Sequence, residues 1–238
     1  MSTYVYGIAR SSHPSLPEKM GGIGEPAQPV RVLTRGALAA LVSDAPDDLR
    51  PKRRDLLAHQ NVLAEAGAGG AVLPMRFGGV SPDDDAVLAV LGEREEHYLE
   101  RLRALDDKVE YNVKASHDEE AVLHRVLADN PELRELSEAN RAAGGGSYEQ
   151  KLALGERVAA AVQQREANDA VHVQQTLEGL ASDVRPGPES GGWLANISFL
   201  VERDRADALI SAIDELRRTH QHLVLQVNGP LPPYSFVE

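Results

Sequence analysis

A chain of 238 residues with 42% hydrophobic and 26% charged content can bury a real core in one or two domains, and its formal charge of −12 opposes binding to a nucleic-acid backbone. The absence of cysteine removes disulfides, thiolate metal sites and cysteine nucleophiles together, and no apolar run approaches the roughly 20 residues that cross a bilayer. Met1-Ser2-Thr3-Tyr4 lacks a basic region followed by an apolar stretch, so the expected compartment is the cytoplasm, with no membrane partner.

The opening residues 4–9, with Tyr4, Val5, Tyr6 and Ile8 in short alternation, predict a strand. Residues 11–29 hold Pro14, Pro17, Gly21, Gly22, Gly24, Pro26 and Pro29, too many breakers for a regular element, and read as a mobile loop. Residues 30–33 and 38–42, divided by Arg35-Gly36, predict an antiparallel hairpin. Pro51 opens a helix on which Leu56, Leu57, Gln60, Val62, Leu63 and Ala66 recur at helical spacing. Residues 71–77 read as a strand whose Pro74 belongs at an edge or bulge. Ser81 is the expected cap of a helix over about 82–106, with Leu88, Leu91, Tyr98, Leu102 and Leu105 on its core face and Glu95 interrupting the stripe. Val109, Tyr111 and Val113 alternate with Glu110, Asn112 and Lys114, the pattern of a strand with one wet face. The order βββαβαβ predicts an α+β domain over 1–116, related to the ferredoxin-like fold.

The remainder, 117–238, opens helical: Val122, Leu123, Val126 and Leu127 fall in one segment and Leu133 and Leu136 in the next, divided by Asn130-Pro131. After Gly144-Gly145-Gly146, a helix from Ser147 to about Ser182 would span about 54 Å, so it must project or pair. Its stretch Gln163–Asp169 is almost without apolar residues and is expected to face solvent. A strand over 193–201, an amphipathic helix over 204–219 and a strand over 223–227 make this second domain α+β as well.

The chemistry-bearing patterns are thin. His220-x-His222 is the one close histidine pair and has no evident third ligand, so neither a metal nor another cofactor is expected. His59 follows Arg53, Arg54 and Asp55, a pattern that fits a charged exposed face better than a small anion site. Gly21-Gly22-Ile23-Gly24 has no following Lys-Ser or Lys-Thr and opens no helix, which argues against a phosphate cradle. Asp83-Asp84-Asp85 suits a first helical turn. No catalytic constellation emerges, and the chain is not expected to be an enzyme.

Three stretches carry a resemblance: residues 4–8, with Tyr6 and Gly7; residues 72–78, with Pro74, Arg76, Phe77 and Gly78; and residues 229–237, with Gly229, Pro230, Pro232, Pro233, Tyr234 and Phe236. Together they resemble the GvpL/GvpF family of gas vesicle proteins, and residues 109–114 look like the family's strand after its second helix. Leu231 departs from the pattern, which often has a tryptophan there. The resemblance implies a ferredoxin-like N-terminal domain and a C-terminal α+β domain with a long helical hairpin, the C-terminal tail docking back. It also implies a role in assembling the gas vesicle, binding the small hydrophobic shell protein and keeping it from aggregating, with other gas vesicle accessory proteins as further partners. A regulatory ligand-binding module built on the ferredoxin-like domain is the alternative. On physical grounds the motif residues read first as packing elements. Gly78 frees a sharp exit from a strand, Arg76 seeks a carboxylate, and the prolines present Tyr234 and Phe236 as anchors within the chain.

Overall fold

The computed structural model describes residues 2–13, 16–188 and 191–237; Pro14, one of the loop-breaking prolines, lies outside them. The chain forms two compact units, Met1–Tyr111 with Gly229–Glu238, and Asn112–Asn228. Both mix helices with strands, as the pattern of alternating and helical periodicities requires.

In the first unit β1 (Thr3–Arg10) lies between its neighbours, pairing antiparallel with β3 (Leu38–Asp44) from Thr3↔Asp44 to Arg10↔Leu38 across a bulge between Val5 and Gly7. The hairpin read from the sequence is β2 (Arg31–Arg35) against β3, turning through Gly36 at φ +58°. Helix α1 (Arg53–Gly67) leads to β4 (Val72–Pro74), which pairs with β1 at the sheet edge, where a proline's missing N–H costs no ladder bond. The strand order is β2-β3-β1-β4, and the two-residue β5 (Val80–Ser81) extends β1 beyond β4. A ferredoxin-like path places a helix between its first two strands. Here a loop makes that connection, so the mixed α/β architecture stands and the ferredoxin-like refinement does not follow from it.

That loop is held in place, contrary to its mobile appearance in the sequence. Ile23 is fully buried, its N–H donates to the Tyr6 hydroxyl at 2.9 Å, and Gly24 N–H donates to the buried carboxylate of Asp55 at 2.9 Å. Gly22 N–H to Gln28 C=O and Gln28 N–H to Ile23 C=O close the loop on itself. A count of breakers registers the lack of regular structure and misses the apolar residues, buried Ile23 with Leu16 and Met20, that pack on the core.

The helix expected over 82–106 is two helices, α2 (Asp84–Glu93) and α3 (Glu95–Ala104), separated at Arg94. The break falls one residue before Glu95, where the apolar stripe is interrupted. The cap is Asp83, whose carboxylate accepts from Ala86 N–H at 2.8 Å, while Ser81 pairs with Thr3 in β5. On α1 the inward face also differs from expectation. Asp55, His59, Val62, Leu63 and Ala66 are buried, and Leu57 is 48% exposed.

The second unit begins within β6 (Lys108–His117) and continues through α4 (Glu119–Asp129), α5 (Pro131–Ala142) and α6 (Tyr148–Glu178). It ends with β7 (Asp183–Pro186), β8 (Ala195–Glu202), α7 (Ala206–Thr219) and β9 (Leu223–Leu231), in the sheet order β7-β8-β6-β9. Ser147 and Gln150 form a reciprocal capping box that starts α6. Its 31 residues pair with the shorter helices: Val122, Val126 and Leu133 make a small core against Leu154, Ala161 and Val162. The polar stretch Gln163–Asp169 is not all solvent-facing, because Asp169 is buried at 3% exposure.

Candidate functional site

The three resembling stretches meet in the first unit. Gly7 pairs with Pro74 and Ile8 with Leu73, and Met75 N–H donates to Tyr6 C=O at 2.8 Å. Gly7 is required by proximity: a Cβ there would sit 2.8 Å from Leu63 Cδ2 and 2.9 Å from the Leu73 carbonyl oxygen. Tyr4 and Tyr6 are both fully buried, their rings 4.9 Å apart edge to face, and His59 stacks on Tyr6 at 5.5 Å. Phe77 closes the aromatic group, 5.8 Å from Tyr4 and 5.9 Å from His59.

The buried polar atoms of this group have partners of the right kind. Met75 C=O can only accept, so His59 Nε2 carries the proton and donates to it at 3.0 Å, leaving Nδ1 to accept from the Tyr4 hydroxyl at 2.9 Å. Gly78 N–H in turn donates to that hydroxyl at 3.3 Å. The Tyr6 hydroxyl accepts from Ile23 N–H, and it donates to Ser43 Oγ, which donates on to the Asp44 carbonyl. Burial holds both tyrosine hydroxyls well above their ordinary titration range and pulls His59 below its own. The group therefore stays neutral near pH 7, with the lone pair of His59 Nδ1 engaged by the Tyr4 hydroxyl. His59, expected on a charged exposed face, is a satisfied core histidine.

The C-terminal stretch completes the same unit. Pro233 is buried, Phe236 is 1% exposed, and Tyr234 packs against the cluster that contains Tyr4, Tyr6, Ile23 and Leu63. Glu110 accepts from Ser235 N–H at 2.8 Å and Ser235 Oγ at 2.7 Å, and Arg101 donates to Phe236 C=O. This explains why Glu110, placed on a wet face by strand alternation, is buried. Burial and the Glu110 charge push the Tyr234 hydroxyl up to about 12. Gly229 passes so close to the Tyr111 ring that a Cβ would collide with it, and Pro230 and Pro232 carry the chain onward. Arg76 is exposed, and no carboxylate among the described residues pairs with it; Gly78, at φ +101°, makes the turn its position called for.

In the second unit His222, the nearer half of the histidine pair, meets partners no local spacing could disclose. Its Nε2 lies 2.9 Å from Asp169 Oδ2, and His117 Nε2 lies 2.9 Å from the same oxygen. Arg165, one turn before Asp169 on α6, donates Nε–H to that oxygen at 2.9 Å. Burial alone would raise the Asp169 pKa, and hydrogen bonds from Arg165, His117 and His222 outweigh it, holding the carboxylate below its usual range.

Residues 2–238 match the family described as Gas vesicle synthesis protein GvpL/GvpF. The chain belongs to the GvpL/GvpF family. It is 87% identical over 238 residues to gas vesicle protein F of a Streptomyces species, with both chains fully covered. It is also 28% identical over 240 residues to gas vesicle protein F2 of Halobacterium salinarum, covering 99% of this chain and 91% of that one. Two solved structures of GvpF share the fold. The Anabaena protein has a TM-score of 0.77 at 23% identity, covering 100% of this chain and 98% of its own. The Microcystis aeruginosa protein has a TM-score of 0.72 at 22% identity, covering 100% and 99%. GvpL/GvpF membership ties the chain to gas vesicle formation and places it outside the known enzyme families. No helix among the described residues is long and apolar enough to cross a membrane.

Proposed function

We propose that this chain is a cytoplasmic, non-catalytic assembly factor of the gas vesicle that binds the small hydrophobic shell protein, keeps it from aggregating and assists nucleation. Full-length membership of the GvpL/GvpF family carries this reading. The neutral, internally satisfied motif residues support it, since Tyr4, Tyr6 and His59 are engaged in the chain's own packing and leave no reactive group over. The motif residues act as scaffold that presents other surfaces to partners. The strand order β2-β3-β1-β4 supports reading the N-terminal sheet as a ferredoxin-like variant with the pinned loop in place of the first crossover helix. The test is to mix purified chain with shell protein diluted from denaturant and follow light scattering and co-sedimentation. Suppressed scattering with a recoverable complex is expected. Unchanged scattering with no complex, joined to a thermal shift from a small molecule, would instead favour a ligand-binding module.

A further inference from the structure

The polar cluster of the second unit is over-subscribed. Asp169 Oδ2 is approached at 2.9 Å by three nitrogens: His117 Nε2, His222 Nε2 and Arg165 Nε. His222 Nε2 also lies 3.2 Å from a terminal nitrogen of Arg165, which can only donate. One imidazole nitrogen cannot donate to the carboxylate and accept from the guanidinium together. Whichever form His222 takes, one of its two close contacts sets like against like. His117, 6% exposed at its side chain, leaves Nδ1 without a hydrogen-bond partner. The fold creates this convergence: Asp118 N–H donates to His222 C=O at 3.0 Å, setting the end of β6 beside the start of β9 under α6.

We propose that His117 Nε2, His222 Nε2 and Asp169 Oδ2 form a binding site for a divalent transition-metal ion, zinc being the best match, with Arg165 as the internal cation that the ion displaces. Two imidazoles and a carboxylate are a donor set for a borderline metal and a poor one for magnesium or calcium, which take oxygen ligands. The three donor atoms lie within 4.8 Å of one another. Bonds of about 2.0–2.2 Å in tetrahedral geometry place ligands about 3.3–3.6 Å apart, a few tenths of an ångström from the two histidine–carboxylate contacts of 2.9 Å, and binding draws the two imidazole nitrogens to the same spacing.

Charge favours the exchange as well. Arg165 keeps a second carboxylate, Asp129, at 3.0 Å, so leaving Asp169 does not strand it. A cleft of about 430 Å³, lined by Ser116, His117, Gln163, Glu166 and Trp193 among others, opens beside His117.

The full chain, stripped with a chelator, is titrated with zinc chloride in competition with a chromophoric chelator. One ion per chain is expected, with affinity falling at least about tenfold in His117→Gln and Asp169→Asn. In Arg165→Met the affinity should rise, because a competing cation is gone. That direction separates a metal site from a purely structural ion-pair network, and it stands even if Asp169→Asn fails to fold. Zinc bound no more tightly by the intact chain than by His117→Gln, or Arg165→Met binding no more tightly than the parent, would overturn the proposal.

Discussion

The two units bury polar side chains in opposite ways. In the first, Tyr4, Tyr6, His59 and Ser43 form chains in which every donor has an acceptor and no two like roles are set against each other. In the second, three nitrogens crowd one carboxylate oxygen, and an imidazole nitrogen is left over. A fully satisfied network fixes one packing arrangement, whereas an over-subscribed one has conflicting hydrogen bonds that exchange of its guanidinium for another cation would relieve. The contrast separates residues that hold the fold from residues that stand ready for a ligand.

The largest test of the first half of that contrast is Phe236→Ala. Emptying a site that is 1% exposed should lower the stability of the intact chain by about 3–5 kcal/mol in denaturant unfolding. A loss under about 1 kcal/mol would detach the C-terminal stretch from the core of the first unit. Gly7→Ala comes next, at about 1–3 kcal/mol, since one of its new neighbours is the Leu73 backbone and cannot swing aside. Tyr6→Phe keeps the ring and removes the hydroxyl, leaving the buried Ile23 N–H without an acceptor. About 1–2 kcal/mol is expected, with hydrogen exchange at residues 22–24 accelerated more than elsewhere.

The smallest effect is on pH. His59 titrates below its ordinary 6.5 in the fold, so the unfolded chain binds more protons as pH falls through that value. Its contribution to stability is complete above about pH 6.5 and is lost on acidification below it. The Asp84 carboxylate, held low by hydrogen bonds from Arg31 and Thr3, contributes above its ordinary 3.8 and loses that contribution only at lower pH. His59→Gln should therefore make the thermal-unfolding midpoint fall less steeply below pH 6.5 without abolishing the slope, since burial also depresses His220 and His222, and should leave the fall below the ordinary carboxylate value of 3.8. An unchanged slope between pH 6.5 and 5 would show that His59 already ionises freely in the fold.

The sequence disclosed the regular elements where one signal dominated. The β2–β3 hairpin followed from two apolar runs about Arg35-Gly36, and α7 from Leu209, Ile213 and Leu216 on one face. It was less legible where long-range partners decide. Asp55 and His59 look like surface residues by composition and turn inward because Gly24, Tyr4 and Met75 supply partners from elsewhere in the chain. Glu110 alternates like a wet-face residue until Ser235, 125 positions away, covers it. His117, Asp169 and His222 stand 52 and 53 residues apart, on β6, on α6 and in the turn before β9, so no motif spacing could have joined them. A polar stretch on a long helix reads as a solvent face unless something buried faces it, and here two histidines face it.

The central claim, that this chain assembles gas vesicles through a folded scaffold completed by its C-terminal stretch, is tested most directly by complementation. The gene is deleted from a vesicle-forming host, and vesicles are counted by electron microscopy after return of either the intact chain or a chain ending at Asn228. The account predicts loss of vesicles on deletion, rescue by the intact chain and none by the truncated one. Normal vesicles in the deletion strain, or full rescue by the truncated chain, would contradict it.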